Sequence, residues 1–143
     1  MELTELKSAI EKYIKGIIFC KQSGEYLYDL IFDSDINPVM LSSFIGALSL
    51  FGKDNLGKIE EINIKGLNLD MIILSEYEII LILIIDKKLV DHNIREEAEI
   101  ILDIFYSTYQ EEIKGITDVS NFSDFKNFLI WEIKNFYKFI EIF

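Results

Sequence analysis

The most constraining feature of this sequence is an uninterrupted apolar run over residues 79–85, Ile-Ile-Leu-Ile-Leu-Ile-Ile. The run is too short for a membrane helix, and its β-branched residues favour a strand that is covered on both faces. Because strand side chains alternate, we predict that one helical layer contacts Ile80, Ile82 and Ile84. The opposite layer then contacts Ile79, Leu81, Leu83 and Ile85. The run therefore predicts a central strand between two helical layers.

The remaining segments predict four helices and four further strands from their hydrophobic periodicity. In chain order we expect a helix over residues 3–14, strands over 17–20 and 26–32, a helix over 38–51, strands over 59–64, 67–74 and 79–85, and helices over 92–113 and 122–142. These elements predict an α+β domain with a single five-stranded, antiparallel-rich sheet and helices on both faces. A single domain over residues 1–143 is expected, with a leading helix over 1–14, a core over 15–113 and a C-terminal helix over 116–143 packed on the core.

The predicted helix over residues 38–51 carries no charged residue. Asn37 is expected to cap it and Gly52 to end it. A helix that lies on a sheet normally keeps a charged outer face. The positions that we expect on the outer face here are Ser42, Ser43, Gly46 and Ser49. Two explanations are open, because either the same chain covers this helix or the helix lies at a subunit interface.

Acidic residues dominate the composition, with 25 Asp and Glu against 14 Lys and Arg and a net charge of −11 at pH 7. Nucleic acids and anionic membrane surfaces are not expected as partners, because proteins that bind either of them carry a basic surface. No apolar run approaches the length of a membrane span, and the N-terminus has no signal-peptide pattern. Together with a single cysteine, Cys20, these features predict a cytoplasmic protein.

No pattern of residues predicts a catalytic or metal site. Cys20 and His92 are each the sole residue of their type, and neither has a partner at zinc-ligand spacing. A Cys20–His92 nucleophile pair stays open, although a buried structural thiol is the simpler interpretation. Asp33 and Asp35 lack the Gly and Glu spacing of a calcium loop, and no glycine-rich phosphate fingerprint is present. We therefore predict no enzyme, no metal ion and no cofactor.

Several stretches within residues 14–113 resemble the roadblock/longin superfamily, and the resemblance is closest to its archaeal members. Residues 16–28 are similar to the opening hairpin of that family, and residues 40–48, Met-Leu-Ser-Ser-Phe-Ile-Gly-Ala-Leu, are similar to its first sheet-covering helix. Residues 62–74 are similar to its third and fourth strands. The resemblance implies the helix-β-β-α-β-β-β-α-α order given above.

The resemblance also implies a non-enzymatic interaction module. Members of this family serve as dimerising platforms that bind small Ras-like GTPases, or as parts of trafficking complexes. The implied partners are a small Ras-like GTPase and either a second copy of this chain or another roadblock/longin subunit. We expect the subunit interface to contain Met40, Ser42, Ser43, Gly46, Ser49, Leu50, Ile62 and Ile64.

The alternative function is a small-molecule sensor or an enzyme with a cryptic site between the sheet and the helices. Such a protein should have a pocket with convergent polar groups and perturbed pKa values. A docking module should instead show no such pocket and should associate with itself or with a GTPase.

Overall fold

The computed structural model describes residues 8, 10–89, 93–115 and 122–140. Its strands are β1 (Ile14–Lys21), β2 (Tyr26–Ile31), β3 (Glu61–Lys65), β4 (Leu69–Glu76) and β5 (Ile79–Asp86). Its helices are α1 (Pro38–Leu56), α2 (Ile94–Lys114) and α3 (Phe125–Phe139), with a short 3-10 turn at Lys87–Leu89. The predicted α+β class with a five-stranded sheet is confirmed.

The strands form one sheet in the order β2-β1-β5-β4-β3, and every neighbouring pair is antiparallel. β5 is the central strand, and its Ile82 lies between Ile18 of β1 and Ile73 of β4. β2 and β3 are the two edges. The uninterrupted apolar run therefore lies where it was predicted, in the middle of the sheet.

The two faces of β5 feed two separate cores, which confirms the predicted alternation. Ile80, Ile82 and Ile84 pack with Ile18 and Cys20 on the side that α1 covers. The other face packs against α2 and α3, and its β5 residues are Ile79, Leu81, Leu83 and Ile85. The whole of the run is buried, so a polar residue has no place in it.

Aromatic rings fill the core beneath α2 and α3. Phe19 of β1 stacks on Phe105 of α2 with ring centroids 4.0 Å apart, and Phe125 of α3 meets both rings edge-on. The Tyr137 hydroxyl of α3 donates to the Ile10 carbonyl at 2.6 Å and accepts from the Ile14 amide at 3.2 Å. These contacts fix α3 to the first strand.

The order of the described elements is β-β-α-β-β-β-α-α, which corrects the predicted helix-first order. Residue Ile14, predicted at the end of the leading helix, is the first residue of β1 and pairs with Ile85. Half of the predicted helix over residues 3–14, namely residues 3–7 and 9, lies outside the described residues. Residues 92, 141 and 142, predicted at helix ends, also lie outside them.

The predicted end of α1 at Gly52 is wrong, because the helix continues to Leu56 and ends at Gly57. Gly57 has a φ of 86°, a left-handed conformation that glycine adopts without strain. Gly52 is buried instead, and a Cβ there would overlap the Ile59 side chain. Asn37 caps the helix as predicted, because its side chain accepts from the Met40 amide at 3.1 Å.

Candidate interaction surface

Two of the four small residues that were expected on the outer face of α1 face inward instead. Ser42 and Gly46 are buried, and the Ser42 hydroxyl donates to the Pro38 carbonyl at 2.7 Å. A Cβ at Gly46 would overlap the backbone of Gly24 in the β1–β2 turn. The helix approaches the hairpin closely enough that only glycine fits at position 46. Ser42 and Gly46 are therefore not available to a partner.

Large apolar side chains instead occupy the outer face of α1. They are between 55% and 70% exposed, and we call this set the outer stripe: Val39, Met40, Phe44, Leu50 and Phe51. Met40, Phe44 and Phe51 follow helical spacing, so they form a continuous apolar row along the helix. An exposed apolar row of this kind is typical of a binding surface.

A groove of about 680 Å³ runs beside the outer stripe, between α1 and the strands at the β3 side of the sheet. Its apolar lining includes Met40, Leu41, Phe44, Ile64, Leu69 and Met71. The buried carboxylate of Asp70 also lines the groove, but the Lys87 ammonium donates to it at 2.7 Å. The groove thus offers mainly apolar contact, with its buried charge already paired.

One helix is too narrow to cover this face of the sheet. Five strands span about 24 Å at ~4.8 Å each, whereas a helix is about 10 Å across. The opposite face is covered by two helices, α2 and α3. Among the described residues, α1 is the helix that packs on this face, and it lies closest to β1 and β2. Ile64 on the edge strand β3 is consequently left 38% exposed.

Four of the eight residues of the predicted interface are exposed in the structure. Met40, Ser43 and Leu50 are exposed on α1, and Ile64 is exposed on β3. Two further positions are half-buried, namely Ser49 and Ile62. The predicted set does not contain three exposed residues of the outer stripe, which are Val39, Phe44 and Phe51. Their helical spacing was visible in the sequence, but it did not show which row of α1 faces the sheet.

The His, Cys, Asp and Glu side chains of the described residues do not form a metal or nucleophile site. No group of three or more His, Cys, Asp and Glu side chains among the described residues could hold a metal ion. Burial raises the pKa of Cys20 to about 11, so this thiol is neutral and unreactive at pH 7. His92, its possible partner, lies outside the described residues. No helix in the described part of the chain combines the length and apolar character needed to span a bilayer.

A perturbed carboxyl lies on the opposite side of the sheet, between α2 and α3. Glu97 is buried, and its Oε1 atom has no hydrogen-bond partner among the described residues. Burial, and after it the neighbouring Glu132 carboxyl, raises the pKa of Glu97 to about 8. The position of Glu97 on α2 separates it from the groove beside α1. It therefore affects stability rather than chemistry in the groove.

We expect Glu97→Gln to stabilise the fold at high pH. The pKa of Glu97 is above its ordinary value of 4.5, so the folded chain holds this proton more tightly than the unfolded chain. The free energy of unfolding should fall as the pH rises from 4.5 to about 8 and then level off. Glutamine mimics the neutral carboxyl, so the variant should be about 1–3 kcal/mol more stable than wild type at pH 9 and similar to it at pH 5.

Urea unfolding followed by circular dichroism at pH 5, 7 and 9 measures this difference. The matched control is Glu111→Gln, an exposed position on the same helix, which should not change the pH dependence. A stability difference for Glu97→Gln that is the same at all three pH values would contradict the prediction.

Solved structures with the same architecture exist. A Roadblock/LC7 domain from Streptomyces avermitilis matches with a TM-score of 0.57 and 10% identity, over 77% of this chain and 98% of that one. MglB from Myxococcus xanthus matches with a TM-score of 0.52 and 16% identity, over 75% of this chain and 99% of that one. This chain has the roadblock fold. The resemblance predicted from the sequence is therefore confirmed for the fold.

A further roadblock-type match is MglB in a tetrameric arrangement, with a TM-score of 0.52 and 10% identity, over 65% of this chain and 76% of that one. No family model matches the sequence, and no curated protein matches it. The roadblock likeness is thus a likeness of structure, carried by the sheet order and the placement of the helices.

Proposed function

We propose that this chain is a non-catalytic interaction module, which dimerises through the outer stripe of α1 and the β3 edge. In that form it binds or regulates a small Ras-like GTPase, or joins a trafficking complex, in the cytoplasm. The observation that carries the proposal is the outer stripe, whose side chains are more than half exposed beside an apolar groove. Monomeric proteins rarely expose a continuous apolar surface that has no binding function.

A second copy of this chain suits the half of the sheet face that no described helix covers. Its α1 would supply the second helix that the width of the sheet requires. A two-fold axis places the outer stripe of each copy against the groove of the other, because stripe and groove lie side by side on one chain. No strand of the described residues pairs with the outer side of β3, and a partner strand can pair with such an edge.

Charge also favours this face for self-association. The chain carries a net charge of −11, so two copies repel each other over most of their surfaces. Residues 38–52 contain no charged side chain, so the repulsion is weakest where the outer stripes of the two copies would meet. The tetrameric arrangement of a similar MglB structure further supports assembly by this fold.

The GTPase partner rests on the resemblance of the sequence to the roadblock/longin superfamily. If GTP hydrolysis is accelerated, the mechanism should be docking rather than an inserted arginine. Arg95 is the sole arginine in the chain. Its guanidinium pairs with Glu61 on β3 and, at 2.6 Å, with Glu99 on α2. Arg95 therefore has the role of a local ion-pair residue.

Light scattering across a dilution series tests the proposed dimer. The wild-type chain should have the mass of two copies at micromolar concentration and dissociate on further dilution. A folded monomer at high micromolar concentration would contradict self-association. Ras-like GTPases loaded with GDP or a GTP analogue should then bind the dimer in pull-down experiments, and failure to bind either form would count against the GTPase partner.

A further inference from the structure

A second concavity lies beneath the C-terminal half of α1, at the end of the sheet where β1 finishes and β3 begins. Its volume is about 490 Å³, within the ~300–1,000 Å³ range of small-molecule sites. We call it the polar cleft and define it by six of its hydrogen-bonding side chains, Gln22, Ser23, Ser49, Lys53, Lys58 and Ser75. Its place between sheet and helix is the one that the sensor alternative requires.

One side of the polar cleft is a single face of α1. Gly46, Ser49, Leu50 and Lys53 line it. They follow the spacing i, i+3, i+4 and i+7, so they lie in one row along the helix. Glycine at the start of this row brings the helix onto the β1–β2 turn, and lysine at its end supplies a positive charge. The row thus begins at Gly46, which contacts the backbone of the β1–β2 turn, and ends at the positively charged Lys53.

The sheet side of the polar cleft is held in place by hydrogen bonds. The Gln22 side-chain amide donates to the buried Ser75 hydroxyl at 2.8 Å, and the Gln22 backbone amide donates to the Glu78 carbonyl at 3.1 Å. Tyr77 and Glu78 form the adjacent β4–β5 turn with φ values of 58° and 67°, a left-handed conformation that is strained for such side chains. The Tyr77 ring stacks on Tyr106 at 4.4 Å, which holds the turn.

The cations at the polar cleft are free to bind an anion. Lys53 and Lys58 form no ion pair with any residue in the described part of the chain. They are two of only 14 basic residues on a chain with 25 acidic ones, and the structure brings both to one cleft. Hydroxyl groups from Ser23 and Ser49 line the same space, and hydroxyls and ammonium groups together are suitable donors to phosphate or carboxylate oxygens.

We propose that the polar cleft binds a small anionic molecule, in which a phosphate or carboxylate is attached to an apolar part. Lys53 and Lys58 hold the anion, and the serine hydroxyls donate to it. The apolar part packs against Ala47, Leu50 and Ile59, which also line the cleft. This binding site goes beyond the proposed dimer and does not depend on it, because the groove and the polar cleft share no lining residue; Leu50 alone belongs both to the outer stripe and to the cleft.

Titration with hexyl phosphate, followed by amide NMR shifts and calorimetry, tests the proposal. Saturable shifts are expected at Gly46, Ser49 and Ser75. Hexanol, which lacks the anion, and inorganic phosphate, which lacks the apolar part, should each bind at least about tenfold more weakly. Hexanoate distinguishes the two anion types, since equal binding supports a carboxylate ligand and weaker binding supports a phosphate. No saturable shift with either amphiphilic anion would overturn the proposal.

Matched charge variants locate the binding. Lys53→Gln/Lys58→Gln should weaken hexyl phosphate binding by about tenfold or more, since each lysine gives a charge-assisted hydrogen bond. Lys114→Gln/Lys126→Gln removes the same charge at exposed positions outside the cleft and should leave the affinity unchanged. All four lysines are exposed, so both variants should fold. Equal losses in the two variants would show nonspecific attraction and overturn the site.

Discussion

Ile82→Asp should leave the chain unfolded at room temperature. Ile82 is fully buried in β5 and lies between Ile18 and Ile73 on the neighbouring strands. Removing a buried isoleucine side chain costs about 2–5 kcal/mol, and burying a carboxylate without a partner costs several more. Their sum approaches the ~5–15 kcal/mol by which a domain of this kind is stable. Circular dichroism and amide NMR dispersion would both report the loss of structure.

The matched control for this change is Ile100→Asp on α2. Ile100 is 45% exposed, so its replacement introduces the same carboxylate without burying it. This control should fold with a melting temperature close to that of wild type. A wild-type melting temperature for Ile82→Asp would show that β5 is not the strand on which the two cores depend.

Phe44→Glu should separate the dimer into folded monomers. Phe44 belongs to the outer stripe and lines the groove, so a two-fold interface contains it twice. Losing an interface aromatic typically costs about 2 kcal/mol or more, so two copies should weaken the dimer about a thousandfold. The side chain is 59% exposed within one chain, and the fold should therefore persist. Light scattering measures the mass, and circular dichroism measures the fold.

Trp131→Glu is the control for this experiment. Trp131 is also exposed, but it lies on α3, across the sheet from α1. Its replacement removes an exposed aromatic of similar size and should leave the dimer intact. A Phe44→Glu protein that keeps the dimer mass would contradict the proposed interface. Gly46→Arg is unsuitable as a test of the dimer, because the arginine side chain would collide with Gly24 and disturb the fold itself.

The sequence predicted the centre of the fold well because residues 79–85 allow few alternatives. An entirely apolar strand has to be buried on both faces, which requires neighbouring strands and two layers. The alternation of its side chains then follows from strand geometry alone. The two cores of the structure divide these residues as expected.

The orientation of α1 was not predictable from the same kind of pattern. Hydrophobic periodicity locates the inner face of a helix by contrast with a charged outer face, and residues 38–52 provide no such contrast. Four small residues were therefore expected on the outer face, although Ser42 and Gly46 lie on the inner one. The deciding contact is between Gly46 and Gly24, which are 22 positions apart in the sequence. Packing against a distant turn, rather than local periodicity, sets the inner face.

The polar cleft was beyond sequence analysis for a related reason. Its serines, lysines and glutamine are common surface residues that match no motif. The Gln22–Ser75 hydrogen bond joins positions 53 residues apart, and that pairing depends on the order of the strands. Only the folded sheet places these side chains around one space.

The attachment of Tyr137 to the first strand has a consequence for synthesis on the ribosome. β1 pairs with β5, and the Tyr137 hydroxyl bonds to the Ile10 carbonyl and the Ile14 amide. During synthesis β1 therefore leaves the ribosome long before β5 and α3, the segments that it contacts in the folded chain. Contacts between distant segments slow folding, because the chain has to close a large loop before they form. The nascent chain should consequently acquire protease resistance only after its last helix has left the exit tunnel.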